Sequence, residues 1–310
     1  MNISVTAPFG HAFERTKLVL FKDFQLVKWL TLGFCAWLAA LGEGGGGGIG
    51  GNSWSPDAVS EGIRSVEDNL ESFILIGIGV SAAVVFFIVL ANWLRARGTF
   101  MFFDGIVRNR GAVKEPWHEF RERGNRLFVA NVVLGLGGLL LVVTPIIIGS
   151  VVAWSDLRDE RFEAATALGL AIAVLGALIP IVAIAIVSWL LRNFVAPTMY
   201  LHDLSVMDAW RKVKAEVISP NYGTIGLFLL MRIVIAMAIG TIVFASIFLT
   251  CCTVAIPYIG TVILLPLFVF ERSYVLYFLE QFGDDWRFFR EPEVAVETAW
   301  ADTPTTPLEE

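Results

Sequence analysis

Six apolar runs alternate with polar segments along the chain. They cover residues 24–41, 73–94, 127–154, 164–191, 223–250 and 254–272. Because an α-helix rises about 1.5 Å per residue, the second run makes a helix of about 33 Å, which is long enough to cross a bilayer. The third and fourth runs exceed that length, so we expect them to tilt, or to bend at Pro145 and Pro180. The pattern predicts a transmembrane domain of six helices within residues 24–283.

An amphipathic segment precedes the first run. In residues 1–23, Phe9 and Phe13 recur at helical spacing beside Arg15 and Lys17. This pattern predicts a helix that lies on the inner leaflet, held by apolar insertion and by attraction to anionic lipid. A cleaved signal peptide is the alternative, but the segment before the first apolar run is too long for a simple charged n-region.

Two more amphipathic segments precede later runs. One surrounds Trp117 and Phe120. In the other, Ser205 and Asp208 have the spacing of a helix-capping box, with Asp in place of the preferred Glu or Gln. The apolar face that follows this box consists of Val206, Trp210, Val213 and Val217. We interpret both segments as further helices on the cytoplasmic surface.

The apolar runs also show an internal repeat. Trp29, Leu127 and Ile225 lie near the start of the odd runs, 98 residues apart each time. The even runs end in similar segments: Asn92-Trp93-Leu94-Arg95, Ser188-Trp189-Leu190-Leu191-Arg192 and Phe270-Glu271-Arg272. Because each unit holds two crossings, successive units keep one orientation. The predicted fold is an all-α integral membrane protein, with six transmembrane helices as three parallel hairpin repeats, each preceded by a cytoplasmic amphipathic helix.

Composition supports the membrane class. The 310 residues are 56% hydrophobic and 17% charged, with a mean hydropathy of +0.70. Soluble domains are about 45–50% apolar and about 25% charged, so a soluble globular chain is excluded. The net charge of −6 identifies no partner, because the charges are sorted by side of the membrane.

That sorting predicts the topology. Lys and Arg concentrate in residues 95–126, which the positive-inside rule places in the cytoplasm, whereas the acidic segment 42–71 belongs outside. Both termini then lie on the cytoplasmic side of the inner membrane, and the acidic tail 284–310 is predicted to be largely disordered. Among the 23 Lys and Arg, the exceptions to cytoplasmic placement are Arg64, Arg158, Arg161 and Arg232. Since topology explains the positive charge, nucleic acid is not a predicted partner.

Two other features carry no assigned chemistry. The glycine run within residues 42–71 lacks the Lys-Ser/Thr of a phosphate loop, so we predict a flexible connector, with a mobile gate or a close-packing segment as alternatives. Cys35, Cys251 and Cys252 are too few for a disulfide framework and are interpreted as packed thiols.

Arg232 is the most informative single residue. It lies well inside the fifth run, where a lipid-facing charge would cost several kcal/mol. It must therefore snorkel, pair or face an aqueous cavity, and Glu271 near the inner end of the sixth run is the predicted partner. Two roles remain open for the pair. It fixes helix packing, or it belongs to a site for an anion or a lipid headgroup.

Small residues recur at every fourth position of the fourth run, which predicts a close helix–helix contact. These residues are Ala165, Gly169, Ala173 and Ala177. The sequence contains no nucleotide-binding, hydrolase or zinc-protease motif. We therefore predict no catalytic residue, no cofactor and no metal site, and do not expect an enzyme.

Two stretches carry a resemblance to a known family. They include Ala12-Phe13-Glu14-Arg15, Lys28-Trp29-Leu30 and Ala36-Trp37-Leu38, then Phe194-Val195-Ala196-Pro197, Met199-Tyr200 and Ala209-Trp210. This pattern resembles an uncharacterised family of prokaryotic multi-pass membrane proteins, up to about Phe282. The resemblance implies a six-helix membrane domain of unknown activity and transfers no functional residue. A fainter similarity, to the membrane domain of some glycerophosphodiester phosphodiesterases, comes without the His, Glu and Asp motifs of their catalytic barrel.

The leading functional hypothesis is a non-enzymatic inner-membrane protein that organises lipids or partner proteins through its cytoplasmic amphipathic helices. Its expected partners are membrane lipids, with other membrane proteins or a second copy of the chain as further options. The alternative is a transporter or channel with a pathway near Arg232. A membrane enzyme acting on lipids would need polar side chains converging at one depth, which the sequence does not show.

Overall fold

The computed structural model describes residues 3–22, 24–41, 70–158, 164–249, 256 and 258–289, and the regular structure of these residues is helical. The α-helices are α1 (Ala7–Lys17), α2 (Leu26–Ala40), α3 (Leu70–Val107), α4 (Lys114–Glu119), α5 (Arg121–Arg158), α6 (Ala164–Leu190), α7 (Ala196–His202), α8 (Val206–Lys212), α9 (Tyr222–Leu249), α10 (Ile259–Ile263) and α11 (Leu265–Glu280). Wider π-helical turns continue α1 over Leu18–Lys22, α6 over Leu191–Val195 and α8 over Val213–Ile218.

Four helices in the described ranges are long and apolar enough to cross a membrane. They are α3, α5, α9, and α6 with its continuation to His202. They contain the four long apolar runs of the sequence. Little of their apolar surface is buried inside the protein. In water such a surface would not stay exposed, whereas lipid tails solvate it, so the structure supports a membrane protein.

The first and sixth predicted spans differ from these four. Helix α2 has 15 residues and is about 22 Å long, which is short of the roughly 20 residues that a crossing needs. The sixth run is divided between α10 and α11, because Pro266 lies in the first turn of α11, where a new helix starts. Helix α2 packs on α10, where the Trp29 indole donates to the Val262 carbonyl at 2.9 Å. Six crossings and a threefold repeat therefore remain predictions.

The buried core lies at one end of the spans, where α3 ends, α5 begins and α6 ends; we call this the basic end. Its largest fully buried side chains include Phe100, Phe103, Phe120, Phe194, Phe228, Tyr274, Phe278 and Trp286. The Phe228 ring stacks on Phe278 with centroids 4.0 Å apart. Phe100 and Phe103 belong to the basic segment 95–126, which follows the second apolar run. They are nevertheless buried in α3, because that helix continues past Arg95 into the core.

Helix α1 is fixed to the basic end along α11. The Arg15 guanidinium donates to the Ile106 and Val107 carbonyls at the end of α3, at 2.8 and 2.7 Å. The Tyr274 hydroxyl of α11 donates to the Val5 carbonyl at 2.9 Å. These bonds hold the N-terminal helix in a defined orientation on the folded core.

Helices α5 and α6 form a close antiparallel pair. A methyl group added at Gly169 would overlap the Gly149 carbonyl oxygen, and the same holds for Gly149 against Gly169. Ala173 of α6 contacts Gly149, and Ala153 of α5 contacts Gly169. Further along α6, Ala177 is buried and Ala165 is half-buried. The small residues thus lie between two helices of the same chain.

Several predictions concern residues outside the described ranges. They are the glycine run of the 42–71 segment, Cys251 and Cys252, and the tail from residue 290 onward.

Candidate functional site

A polar cluster surrounds Arg232 in α9. Its guanidinium donates to the Glu271 carboxylate of α11 and, at 3.4 Å, to the Asn193 side-chain oxygen in the continuation of α6. The Arg232 side chain is 11% exposed and the Glu271 side chain 31%. The structure therefore brings together the two residues that the sequence paired, and it adds Asn193 as a third. A cavity of about 280 Å³ adjoins the cluster, and Arg192 also lines it.

A larger polar cavity lies between α3, α5 and α6, close to the same end. Its volume is about 670 Å³. The polar side chains that line it are Asn92, Arg95, Asn131, Ser188 and Arg192. Arg192 therefore lines both cavities. The sequence had indicated Arg95 and Arg192 only as matching ends of two repeats, and it is their position on facing helices that makes them a site.

A buried arginine stands behind this cavity on α3. The Arg97 side chain is enclosed by two tryptophan rings, with its guanidinium carbon 4.2 Å from the Trp93 centroid and 4.9 Å from the Trp117 centroid. Both Arg97 and Trp93 donate to the Asn125 side-chain oxygen, at 3.1 and 3.2 Å. Aromatic faces stabilise a desolvated guanidinium, so this arrangement fixes α3 against α4 and α5.

Ion pairs bind the short helices of the basic end to the spans. Buried Asp104 of α3 accepts from Arg110 at 2.7 Å and lies 3.2 Å from Arg108. The hydrogen bond to Asp104 raises the pKa of Arg110 above its usual value. Asp203, which follows α7 in a left-handed conformation, accepts from Arg123 of α5, and that bond lowers the pKa of Asp203. The first network connects α3 to the segment that joins α3 to α4, and the second connects segments that are distant in the sequence.

The described ranges show no cluster of candidate metal ligands. They contain no group of three or more His, Cys, Asp or Glu side chains placed to hold a metal ion. Cys35 is buried, and the small-residue stripe of α6 is covered by α5. The polar side chains that line the two cavities are mainly arginines and asparagines.

Comparison with known proteins identifies a family. A search of the curated proteins and a search of the solved structures each returned no match. One family model matches residues 4–281, which is nearly the whole chain. The chain therefore belongs to the Family of unknown function (DUF7544).

Proposed function

We propose that this protein is a non-enzymatic integral protein of the inner membrane, which organises its surroundings by binding lipid at the basic end. In this proposal both termini lie in the cytoplasm, and α2 and α10–α11 complete six crossings with the four long helices. Other membrane proteins or a second copy of the chain are further partners that the exposed spans would admit.

The observation that carries the proposal is the outward face of the N-terminal segment. Although α1 is fixed to the core, Phe13, Phe21 and Phe24 are 52%, 56% and 59% exposed. The Lys17 ammonium lies 4.6 Å from the centre of the Phe13 ring. Exposed aromatic rings beside cations are typical of a helix that inserts into the headgroup region of a membrane. A lipid leaflet covers this face without requiring another protein.

Hydrogen–deuterium exchange in nanodiscs tests this proposal. We expect amides of residues 7–22 to exchange more slowly when phosphatidylglycerol is added to phosphatidylcholine. Anionic lipid attracts Lys17 and so favours insertion of the exposed phenylalanine rings into the headgroup region. Buried residues 100–106 of α3 serve as the internal control. The proposal would be refuted if the exchange rate of residues 7–22 did not depend on lipid composition and native mass spectra showed no retained lipid.

The cavity beside Arg232 favours a second candidate, a transporter or channel. In that case Arg232 and Glu271 would line a water-filled pathway rather than fix helix packing. Transport would be supported by solute flux into liposomes that contain the native protein, if the Arg232→Leu variant abolished that flux. The hydrogen bonds that Arg232 makes to Glu271 and Asn193 favour a packing role for Arg232 over a role in a pathway.

A further inference from the structure

The cavity between α3, α5 and α6 is divided by depth into a polar part and an apolar part. On α3, Ile88 lies about two turns deeper than Arg95, which corresponds to about 10 Å along the helix. On α6, Ile184 lies about 12 Å deeper than Arg192. On both of these facing helices, an isoleucine therefore lines the deeper part of the cavity and an arginine lines the part nearer the basic end.

Helix α5 provides the third wall and repeats this order. It runs in the opposite direction, so Asn131 lies nearer the basic end and Leu134 lies deeper. Ser188 of α6 and Asn92 of α3 stand between the isoleucines and the arginines of their helices. The cavity thus changes from hydrocarbon to amide and hydroxyl and then to guanidinium within about two helical turns.

The polar part matches a phosphate. Guanidinium groups bind phosphate oxygens in bidentate fashion, and the carboxamides of Asn92 and Asn131 donate further hydrogen bonds. The volume of about 670 Å³ lies within the range of small-molecule sites, about 300–1,000 Å³.

We propose that this cavity binds the headgroup of an anionic phospholipid. Its phosphate lies between Arg95 and Arg192, and its glycerol and first methylenes lie against Ile88 and Ile184. This inference rests on the proposed lipid-binding function and names its ligand and its site. A free phosphate would contact the arginines but would leave the apolar part of the cavity in contact with water, so the change from apolar to cationic lining favours a lipid.

Ligand-induced thermal stabilisation in mild detergent tests the site, because a ligand that binds the folded state raises its melting temperature. The probes are short-chain phosphatidylglycerol, short-chain phosphatidylcholine and inorganic phosphate. For the native protein we expect phosphatidylglycerol to stabilise at the lowest concentration and inorganic phosphate to have no effect. Stabilisation by phosphate equal to that by phosphatidylglycerol would overturn the assignment to a lipid.

Variants then locate the binding. Arg95→Gln removes one guanidinium, and we expect it to raise the concentration of phosphatidylglycerol needed by about tenfold, as the loss of one charge-assisted contact implies. Arg95→Lys keeps the charge but loses bidentate bonding, so its effect should be smaller. The matched control is Arg211→Gln, which removes the same charge from the exposed face of α8, where the Arg211 side chain is 75% exposed.

A second variant covers the case in which Arg95→Gln fails to fold. Asn131→Asp leaves both arginines in place and adds a negative charge to the cavity, so it should also weaken the response to phosphatidylglycerol. Equal responses in Asn131→Asp, Arg211→Gln and the native protein would refute the site while leaving the proposed function intact. A native protein that retains no lipid and responds to none of the probes would instead refute the proposed function itself.

Discussion

The pair formed by Arg232 and Glu271 gives the sharpest test of how the spans are held together. We consider Arg232→Leu, Glu271→Gln and the double variant. Arg232→Leu removes a side chain that is 11% exposed and leaves Glu271, which is 31% exposed and so partly hydrated. Glu271→Gln leaves the guanidinium with only an amide oxygen and the 3.4 Å contact to Asn193. Each single change should therefore destabilise the fold, and Glu271→Gln should cost more.

The magnitude follows from the environment of the pair. Losing one hydrogen bond to a charged group costs about 1.5–3 kcal/mol in water-soluble proteins. Polar contacts between membrane helices average only about 0.6 kcal/mol and reach about 1.7 kcal/mol at most, because the unfolded chain in lipid also finds partners. For a charged pair that is nearly enclosed by protein, we expect a coupling energy of about 1 kcal/mol between the two substitutions. The double variant should then be little less stable than Glu271→Gln alone.

Unfolding in mixed micelles of mild detergent and sodium dodecyl sulfate, followed by circular dichroism, measures the four free energies. A parallel cycle on Arg211 and Asp208 is the control, because these side chains are 75% and 54% exposed and should couple by about 0.5 kcal/mol or less. Sites without contact add within about 0.3–0.5 kcal/mol. Additivity within that error for Arg232 and Glu271 would refute the claim that their pairing stabilises the spans.

Three further outcomes are expected. Gly169→Ala should lower the unfolding free energy by about 1–3 kcal/mol in the same assay, because the added methyl group meets the backbone of α5. Gly137→Ala is the control, since open space surrounds Gly137, and it should raise the unfolding free energy by about 0.5–1 kcal/mol. Arg123 lowers the pKa of Asp203, so their pair stabilises the fold above about pH 4, and this stabilisation is lost as the pH falls through the folded-state pKa. Asp203→Asn should therefore lower the melting temperature at neutral pH. In the variant, the melting temperature should also fall less steeply in acid than it does in the native protein. Arg97→Lys should cost about 1–2 kcal/mol of unfolding free energy, because lysine cannot stack between the tryptophans and still reach the amide that Arg97 binds; unchanged stability would contradict the role given to that stack.

The sequence predicted the long helices better than it predicted their ends. The run at 73–94 was expected to stop at Arg95, yet α3 continues to Val107. Arginine is a good helix former, so a cluster of arginines marks the limit of the hydrocarbon rather than the end of the helix. Hydropathy therefore detects the limit of the hydrocarbon but not the end of the helix. The burial of residues 100–103 depends on contacts with distant segments, which no local pattern contains.

Local signals at the site were partly sufficient. The spacing of Ser205 and Asp208 predicted a capped helix, and the Ser205 hydroxyl does accept from the Asp208 amide, at 3.2 Å. An intramembrane Arg232 signalled a need for a partner, and Glu271 was the acid at a compatible depth. Asn193 could not be chosen in this way, because its position depends on the π-helical turn after α6, which has no sequence signature. The cavity of about 670 Å³ likewise depends on how three helices pack together.

The location of the core has a physical cause in the two solvents that a membrane protein meets. Lipid tails are as apolar as leucine, so spans gain little from burying such side chains against each other, and close backbone contacts such as that at Gly149 help to hold α5 to α6. In the proposed membrane placement, water and headgroups surround the chain at the basic end, so aromatic side chains such as Phe228 and Phe278 are driven together. The cavity between α3, α5 and α6 lies close to this core. A cleft at that boundary is lined by hydrocarbon on one side and by Arg95 and Arg192 on the other, which is the same polarity gradient that a phospholipid carries from its acyl chains to its phosphate.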